Sequence, residues 1–226
     1  MNTEDLAIFG VGKTATYCKE IAEDMGLNVV CNFVEPGYLE EARKTLEGVI
    51  SLEEFIIAYR DRDVPVCVAI GYHELNKARQ RISSMLLKHG FGVRSLISPK
   101  AQVSKAAEIG NGCVIGPFVD IQHGASIGTG TFIWSGSVVG HGSTLGDYCW
   151  LASNVTIGGD SVIGDRSFLG LGSTISNNIE IGEEVFAGAQ SLLGANIDDR
   201  SAVLASRVEP LENMSEKIVA IWGDST

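Results

Sequence analysis

The feature that most constrains the fold of this chain is a six-residue period in its second half. From Ile97 to Leu193 in steps of six, 16 of 17 positions are Ile, Val or Leu, and only Ala187 departs. A chain that is 45% hydrophobic would place about eight apolar residues there by chance. The position after each aliphatic is Gly in 11 of the 17 cases, and the position four after it is small or β-branched. A fixed short period of this kind indicates a solenoid.

The period predicts a parallel β-helix with triangular coils. Three six-residue repeats make one coil, in which each aliphatic side chain points inward. We expect the following glycine to relax a corner, because corners need backbone angles that a Cβ resists. Successive coils stack as parallel strands about 4.8 Å apart, so residues three repeats apart in sequence lie above one another. Since such repeats only build a core, a purely structural solenoid is an alternative.

The segment before the repeats, residues 1–95, predicts a small α/β unit. A short apolar strand over 6–9 leads into a glycine loop, a helix ending at Met25 and a second strand over 29–34. Ser51 and Glu54 form a capping box for a helix to about Tyr59. A third strand follows over 66–70 and a long helix over 74–89. We therefore divide the chain into the α/β unit, a β-helix over 96–204 and a tail over 205–226 with a short helix at 211–222.

The glycine loop allows two interpretations. It is not a nucleoside-triphosphate loop, because the residue five before Gly12 is Ala7 and not glycine. Gly10, Gly12 and Ala15 have the spacing of a dinucleotide fingerprint, and Glu35 ends the second strand, where an acid would bind a ribose. Three strands are half of what a dinucleotide normally uses, which disfavours NAD. Phosphates and ribose of a nucleotide can still dock there, and a tight turn without a ligand is the alternative.

Charge and composition exclude several classes of partner. The net charge of −11 and the pI near 4.8 argue against binding to nucleic acid or to an anionic membrane. No long apolar run and no leader pattern is present, so we expect a cytoplasmic protein. Five cysteines without CxxC spacing indicate reduced thiols. The repeats contain two histidines, whereas zinc chemistry on such a scaffold needs three, so no metal site is expected.

Two histidines of the repeats are placed where chemistry is feasible. His123 and His141 are three repeats apart and therefore share one corner of adjacent coils. Gly159 comes next in that column and should expose its backbone N–H without a side chain in the way. A base beside a bare N–H donor suits acyl transfer, because the imidazole takes the proton of the nucleophile while the N–H stabilises the oxyanion. His141 is thus the candidate base, and His123 is expected to be a solvated surface residue.

With these motifs the chain resembles a known family. The α/β unit with its GxG loop, the segment Ala-Ile-Gly at 69–71, the entry Leu-Ile-Ser-Pro at 96–99 and the unbroken repeats through Val-Gly-His at 139–141 resemble the bacterial sugar acyltransferases. Closest in pattern are the nucleotide-amino-sugar N-acetyltransferases of bacillosamine and perosamine biosynthesis and the sialic acid O-acetyltransferases. The resemblance implies a Rossmann-like N-terminal domain followed by a left-handed parallel β-helix. It also implies a homotrimer with sites between neighbouring subunits, acetyl-CoA as acyl donor and a nucleotide-sugar substrate.

The same resemblance implies roles for particular residues, with direct attack in a ternary complex. His141 is the general base and Gly159 the oxyanion donor. The remaining matches are Trp150, Gly159, Leu171 and Ala189 along the coenzyme groove, and Gly10, Gly12, Glu35 and Gly71 in the nucleotide-sugar pocket.

Departures from the family pattern keep three hypotheses open. Gly142 stands where these N-acetyltransferases commonly carry the acid that orients the imidazole, and Trp150 stands where relatives carry a second histidine. Asp120, Asp147 or an acid from a neighbouring subunit are the candidates to compensate. The chain is then an N-acetyltransferase for a nucleotide-linked amino sugar in surface-glycan synthesis, a sugar O-acyltransferase, or a non-catalytic β-helix that binds a nucleotide-sugar.

Overall fold

The α/β unit contains a parallel sheet of four strands rather than the expected three. The structure, a computed structural model, describes residues 4–206. The strand order is β3-β2-β1-β4, and β3 was missed because two residues are too short to show a pattern. The elements are β1 (Asp5–Phe9), α1 (Lys13–Asp24), β2 (Asn28–Val34), a 3-10 turn (Pro36–Tyr38), α2 (Leu39–Thr45), β3 (Ile50–Ser51), α3 (Leu52–Tyr59), β4 (Val66–Val68) and α4 (Lys77–Lys88).

The predicted start of the helix is confirmed for α3 and wrong for α4. Ser51 and Glu54 form the predicted capping box, with the Glu54 N–H donating to Ser51 Oγ at 3.1 Å. Helix α4 begins at Lys77, one turn later than the expected start at 74. The reason is that Glu74, Leu75 and Asn76 all have left-handed backbone angles, with φ of 53°, 48° and 65°.

The repeats form the predicted parallel β-helix, whose strands have two residues each. Strands one coil apart pair in parallel, as Phe132 with Trp150. In the described part of the chain, sheet I has seven strands, sheet II six and sheet III five. Sheet I comprises β5 (Leu96–Ile97), β8 (Val114–Ile115), β11 (Phe132–Ile133), β14 (Trp150–Leu151), β17 (Phe168–Leu169), β20 (Phe186–Ala187) and β22 (Ala202–Val203). Sheet II comprises β6 (Gln102–Val103), β9 (Asp120–Ile121), β12 (Val138–Val139), β15 (Thr156–Ile157), β18 (Thr174–Ile175) and β21 (Leu192–Leu193). Sheet III comprises β7 (Glu108–Ile109), β10 (Ser126–Ile127), β13 (Thr144–Leu145), β16 (Val162–Ile163) and β19 (Glu180–Ile181).

The glycine after each inward aliphatic has a different cause from the one expected. These glycines do not adopt the left-handed angles; a Cβ on Gly140, for example, would lie 2.6 Å from the backbone nitrogen of Gly159 in the next coil. In most corners a left-handed residue comes two positions later, as Gly142 with φ 65° or Asp160 with φ 55°. The position after the aliphatic is therefore glycine because adjacent coils approach closely there. The left-handed angle belongs to a different residue of the corner, which often has a side chain.

At several corners a hydroxyl four positions after the aliphatic forms hydrogen bonds that close the corner. The Ser137 hydroxyl is fully buried, donates to the Ala152 carbonyl at 3.0 Å and accepts from the Val155 N–H at 3.1 Å. Both partners belong to the next coil, and Ser143, Ser161 and Ser167 link their coils by the same pair of bonds. A larger side chain would fill space that the next coil occupies.

The α/β unit packs on the outer face of sheet I through one buried arginine. Arg79 of α4 is 1% exposed, and its guanidinium donates to the carbonyls of Gly130, Tyr148, Cys149 and Ile70 at 2.9 to 3.2 Å. It lies over the ring of Phe132, with 4.4 Å to the centroid. Around it the interface is aromatic and aliphatic. This contact fixes the α/β unit against the coils.

Two expectations concern the end of the chain and membranes. The helix expected at 211–222 lies outside the described residues. Within residues 4–206, no helix has the length and apolar character needed to cross a bilayer.

Candidate active site

His141 occupies the corner between sheets II and III, immediately after the glycine that follows β12. Its side chain is 62% exposed, and its ring lies against Gly159 of the next coil. A Cβ on Gly159 would approach Nδ1 to 2.8 Å and also collide with Nε2 and Cε1. The imidazole can therefore occupy this position only because residue 159 carries no side chain. The shared corner of His123 and His141 is confirmed by the pairing of Ile121 with Val139.

The backbone of Gly159 departs from the expectation of a bare donor. Its N–H donates to Asn177 Oδ1 at 2.9 Å, across one further coil. Asn177 is the next residue of the same column, and it lies where the N–H of Gly159 would need to meet an oxyanion. In this conformation the N–H of Gly159 is already hydrogen-bonded. The N–H groups on the side-chain amide of Asn177 are the donors that this corner offers in its place.

The carboxylate nearest to the imidazole is neither of the two acids considered from the sequence. Asp120 Oδ2 accepts from the side chain of Gln122 at 3.3 Å, and Gln122 in turn accepts from the His141 backbone N–H at 3.1 Å. Asp147 lies at the corner between sheets III and I and accepts from the Thr129 N–H at 2.7 Å. Within one chain neither Asp120 nor Asp147 pairs with the imidazole, and both carboxylates have other partners.

Asp160 is the acid that does approach the ring. Its Oδ2 lies 3.7 Å from His141 Nε2, and the side chains of Asp160 and His141 are 60% and 62% exposed. The sequence alone did not indicate Asp160, because Gly142 was not compared with the residue one coil later. Asp160 comes one full coil after Gly142, and this spacing is the sequence signal that could have indicated it.

Three of the expected coenzyme-groove residues line one cavity. Trp150, Leu171 and Ala189 border a space of about 500 Å³ beside sheet I and the corner between sheets I and II. Tyr72 of the α/β unit closes one side, 5.4 Å from Trp150 between ring centroids. The other lining residues are mainly aromatic or small, namely Trp134, Ala152, Ser153, Phe168, Gly170 and Phe186. The column of aromatics that recurs once per coil in sheet I could have revealed this cavity.

The cavity and the imidazole lie at different corners of the same chain. Leu171 and Ala189 follow strands of sheet I, whereas His141 and Gly159 follow strands of sheet II. Sheet II lies between the two corners. Among the sequence-predicted site residues, the structure therefore brings together one group at the cavity and another at the imidazole, but does not join them within one chain.

The nucleotide-binding candidates of the α/β unit gather at the carboxyl ends of β1, β2 and β4. Gly10 has φ 119°, and a Cβ there would lie 2.9 Å from the Ala69 carbonyl oxygen. Gly12 is the N-cap of α1 without a side-chain cap, so the first N–H groups of the helix have no side-chain acceptor at that position. Gly71 follows β4 and faces the Thr14 hydroxyl, with 3.8 Å from its ideal Cβ position.

Glu35, the fourth candidate, is held by an arginine that the sequence did not indicate. Its carboxylate accepts two hydrogen bonds from Arg81 of α4, at 2.7 and 3.2 Å. This pairing raises the pKa of the Arg81 guanidinium. The pair places one anionic and one cationic group at the same edge of the sheet. Arg81 could have been suspected only from knowing that α4 passes Glu35.

The cysteines are free thiols, and the two in the β-helix have strongly raised pKa values. Burial raises the pKa of Cys149 to about 12 and that of Cys113 to about 11. Both thiols therefore stay protonated near neutral pH and do not act as nucleophiles. No group of three or more metal-ligating side chains occurs among the described residues.

Comparison with known proteins supports the repeat assignment directly. The family model described as bacterial transferase hexapeptide (six repeats) matches residues 106–141. A second model, the hexapeptide repeat of succinyl-transferase, matches residues 161–189. No curated protein matches the chain significantly in sequence.

Solved structures match nearly the whole chain. PerB from Caulobacter crescentus, in complex with CoA and GDP-perosamine, is 25% identical, with a TM-score of 0.80 over 93% of this chain and 99% of that one. The acetyltransferase domain of PglB from Neisseria gonorrhoeae is 24% identical, with a TM-score of 0.78 over 92% and 100%. WeeI from Acinetobacter baumannii is 20% identical, with a TM-score of 0.76 over 92% and 100%. The chain thus has the fold of sugar acyltransferases, an α/β domain followed by a left-handed β-helix, and the expected resemblance is confirmed.

Proposed function

We propose that this protein transfers an acetyl group from acetyl-CoA to the amino group of a nucleotide-linked amino sugar. The observation that carries the proposal is the exposed imidazole of His141, seated on Gly159 at a coil corner. The likeness to PerB, a perosamine N-acetyltransferase whose complex holds CoA and GDP-perosamine, supports this substrate class. In a purely structural solenoid, a glycine that leaves room for an exposed imidazole would serve no purpose in the core.

His141 acts as the general base of a direct transfer. Acetyl-CoA supplies the acetyl group as a thioester when it is bound. As the new C–N bond forms and the C–S bond breaks, one ring nitrogen of His141 takes the proton of the attacking amine and passes it to the departing thiolate. No acyl-enzyme is needed, which agrees with the protonated state of the Cys149 and Cys113 thiols. A neutral imidazole suits this role near neutral pH.

The functional unit is a homotrimer in which two chains complete each site. Within one chain sheet II separates the His141 corner from the cavity lined by Trp150, Leu171 and Ala189. Packing the His141 corner of one copy against the cavity of the next would join them. The cavity is apolar and about 500 Å³ in volume, which fits the uncharged arm of the coenzyme better than its phosphates.

The nucleotide-sugar binds at the α/β unit. The uncapped N-terminus of α1 after Gly12 offers N–H groups to phosphate, and nothing lies within 4 Å of the place where a Cβ of Gly12 would be, so a ligand can approach the backbone there. Glu35, fixed by Arg81, is placed to accept hydrogen bonds from a base or ribose. Replacing Glu35 by Gln should raise the KM for the nucleotide-sugar several-fold and leave that for acetyl-CoA unchanged.

The test is thiol release from acetyl-CoA with a panel of UDP-, GDP- and dTDP-linked amino and hydroxy sugars. We expect turnover with one amino sugar, a loss of at least about 100-fold in kcat for His141→Ala, and normal activity for His123→Ala, the matched control one coil away. Turnover with hydroxy sugars alone would replace the proposal by O-acylation. Absence of both turnover and coenzyme binding would favour the non-catalytic alternative.

A further inference from the structure

We propose that Asp160 is the positioning residue that orients the His141 imidazole, in place of an acid beside the histidine in sequence. This inference rests on the proposed function, since it concerns the same base. It starts from the geometry of one corner, where Gly142, Asp160 and Asn178 occupy equivalent places in three successive coils. All three have left-handed angles, with φ of 65°, 55° and 57°.

The absence of a side chain at 142 makes room for the carboxylate of Asp160. A Cβ on Gly142 would collide with Asp160 Oδ1, so the carboxylate lies over the place where a side chain of residue 142 would begin. The Asp160 N–H donates to the His141 carbonyl at 2.8 Å, which fixes the aspartate against the residue that it serves. Gly142 and Asp160 are therefore complementary: the glycine admits an acid from the next coil to the same space.

The carboxylate is within reach of the imidazole. Asp160 Oδ2 lies 3.7 Å from His141 Nε2, slightly longer than a direct hydrogen bond. Both side chains are more than half exposed, so small rotations close the gap, and such contacts commonly tighten when substrate binds. The Cε1 edge of the ring lies against Gly159. The imidazole therefore has a glycine backbone and one carboxylate as neighbours.

The chemical consequence concerns which ring nitrogen carries the proton. A carboxylate facing Nε2 keeps the proton on that nitrogen and leaves the lone pair on Nδ1 to accept the proton of the amine. When the ring takes this second proton, the negative charge of Asp160 stabilises the imidazolium. Removing the carboxylate should therefore lower kcat while leaving the binding of both substrates unchanged.

The decisive experiment moves the acid by one coil. We compare wild type, Asp160→Gly, Asp160→Asn and the exchange variant Gly142→Asp/Asp160→Gly, with Asn178→Gly as matched control for the loss of a left-handed side chain. We expect Asp160→Gly and Asp160→Asn to lower kcat by about 10- to 100-fold, with KM values within about two-fold of wild type. The exchange variant should recover most of the rate, and Asn178→Gly should match wild type.

A second measurement reads the imidazole without turnover. Long-range ¹H–¹⁵N spectra of histidine-labelled protein, assigned with His141→Ala, should show mainly the Nε2–H form of His141 in wild type and a mixture in Asp160→Asn. Unchanged kcat and unchanged tautomer in Asp160→Asn would overturn the inference. If wild type turns over no sugar, the proposed function fails, and an unaltered tautomer in Asp160→Asn would then overturn the positioning role as well, while a shifted one would support it.

Discussion

Replacing Arg79 by Met should separate the α/β unit energetically from the β-helix. The guanidinium is the only hydrogen-bond donor to the carbonyls of Gly130, Tyr148 and Ile70 within the described residues, at 2.9, 3.0 and 3.2 Å. Met matches Arg closely in helix propensity and is also unbranched, so the substitution removes the donor with little other change. The buried carbonyls of Gly130 and Tyr148 and the half-buried carbonyl of Ile70 would then lose their partner.

The expected magnitude follows from two opposing contributions. Each of the two unpaired buried carbonyls costs roughly 2 kcal/mol, and the bonds to Ile70 and Cys149 add about 1 kcal/mol each. Against this, burial lowers the pKa of Arg79 to about 10, and relieving that desolvation returns about 3 kcal/mol. The net loss in the free energy of unfolding is about 3 kcal/mol, or about 10 °C in Tm for a chain of this size.

The matched control lies two residues further along the same helix. Arg81→Met removes an arginine whose side chain is 60% exposed and paired with Glu35, and exposed pairs contribute at most about 1 kcal/mol. Chemical denaturation followed by fluorescence and circular dichroism gives both values. If Arg79→Met and Arg81→Met destabilise the protein equally, the reasoning about the buried carbonyls is wrong.

Three further predictions concern the thiols, the imidazole seat and the assembly. The pKa of Cys149 rises to about 12 on folding, so the thiol stabilises the fold fully below pH 9 and this contribution is lost as the pH rises toward 12. Between pH 9 and 11 the unfolding free energy of wild type should therefore fall by about 2 to 3 kcal/mol more than that of Cys149→Ala, whereas parallel curves in urea titrations would contradict this. Gly159→Ala should displace the ring of His141 and lower kcat about 100-fold with little change in Tm, whereas Gly194→Ala, whose Cβ meets nothing closer than 3.9 Å, should behave as wild type. Coexpression of His141→Ala with Ala189→Trp should restore activity that neither variant has alone, because mixed trimers contain some sites with both parts intact; activity equal to the sum of the parents would argue for sites within single chains.

The β-helix was predictable in detail because a single six-residue period determines its coils. Inward aliphatics, the coil of three repeats and the sharing of a corner by His123 and His141 all follow from counting. What counting could not supply was the reason for the glycines, since close approach of coils and strained angles both favour glycine in a sequence. The structure separates the two, because Gly140 faces the next coil while Gly142 bears the left-handed angle.

The site was less predictable because its contacts cross between coils and between domains. The occupation of the Gly159 N–H by Asn177 depends on side-chain rotation, which no period encodes. The pair of Arg81 with Glu35 depends on how α4 crosses the sheet. The strand β3, two residues long, has too little pattern to be found. For both contacts the deciding quantity is a distance between segments that are remote in sequence.

The solenoid also explains how an acid can change its place in sequence while keeping its place in space. In a β-helix the nearest neighbours of a corner residue include those one coil away, at about the spacing of paired strands. An acid directly after His141 and an acid at 160 can therefore reach the same side of the imidazole, provided that the other position is glycine. Gly142 and Asp160 meet that condition, and both backbone positions already have the left-handed angle that aspartate tolerates. A glycine directly after the proposed base is thus no argument against activity on this scaffold, because the residue one coil away can supply the acid.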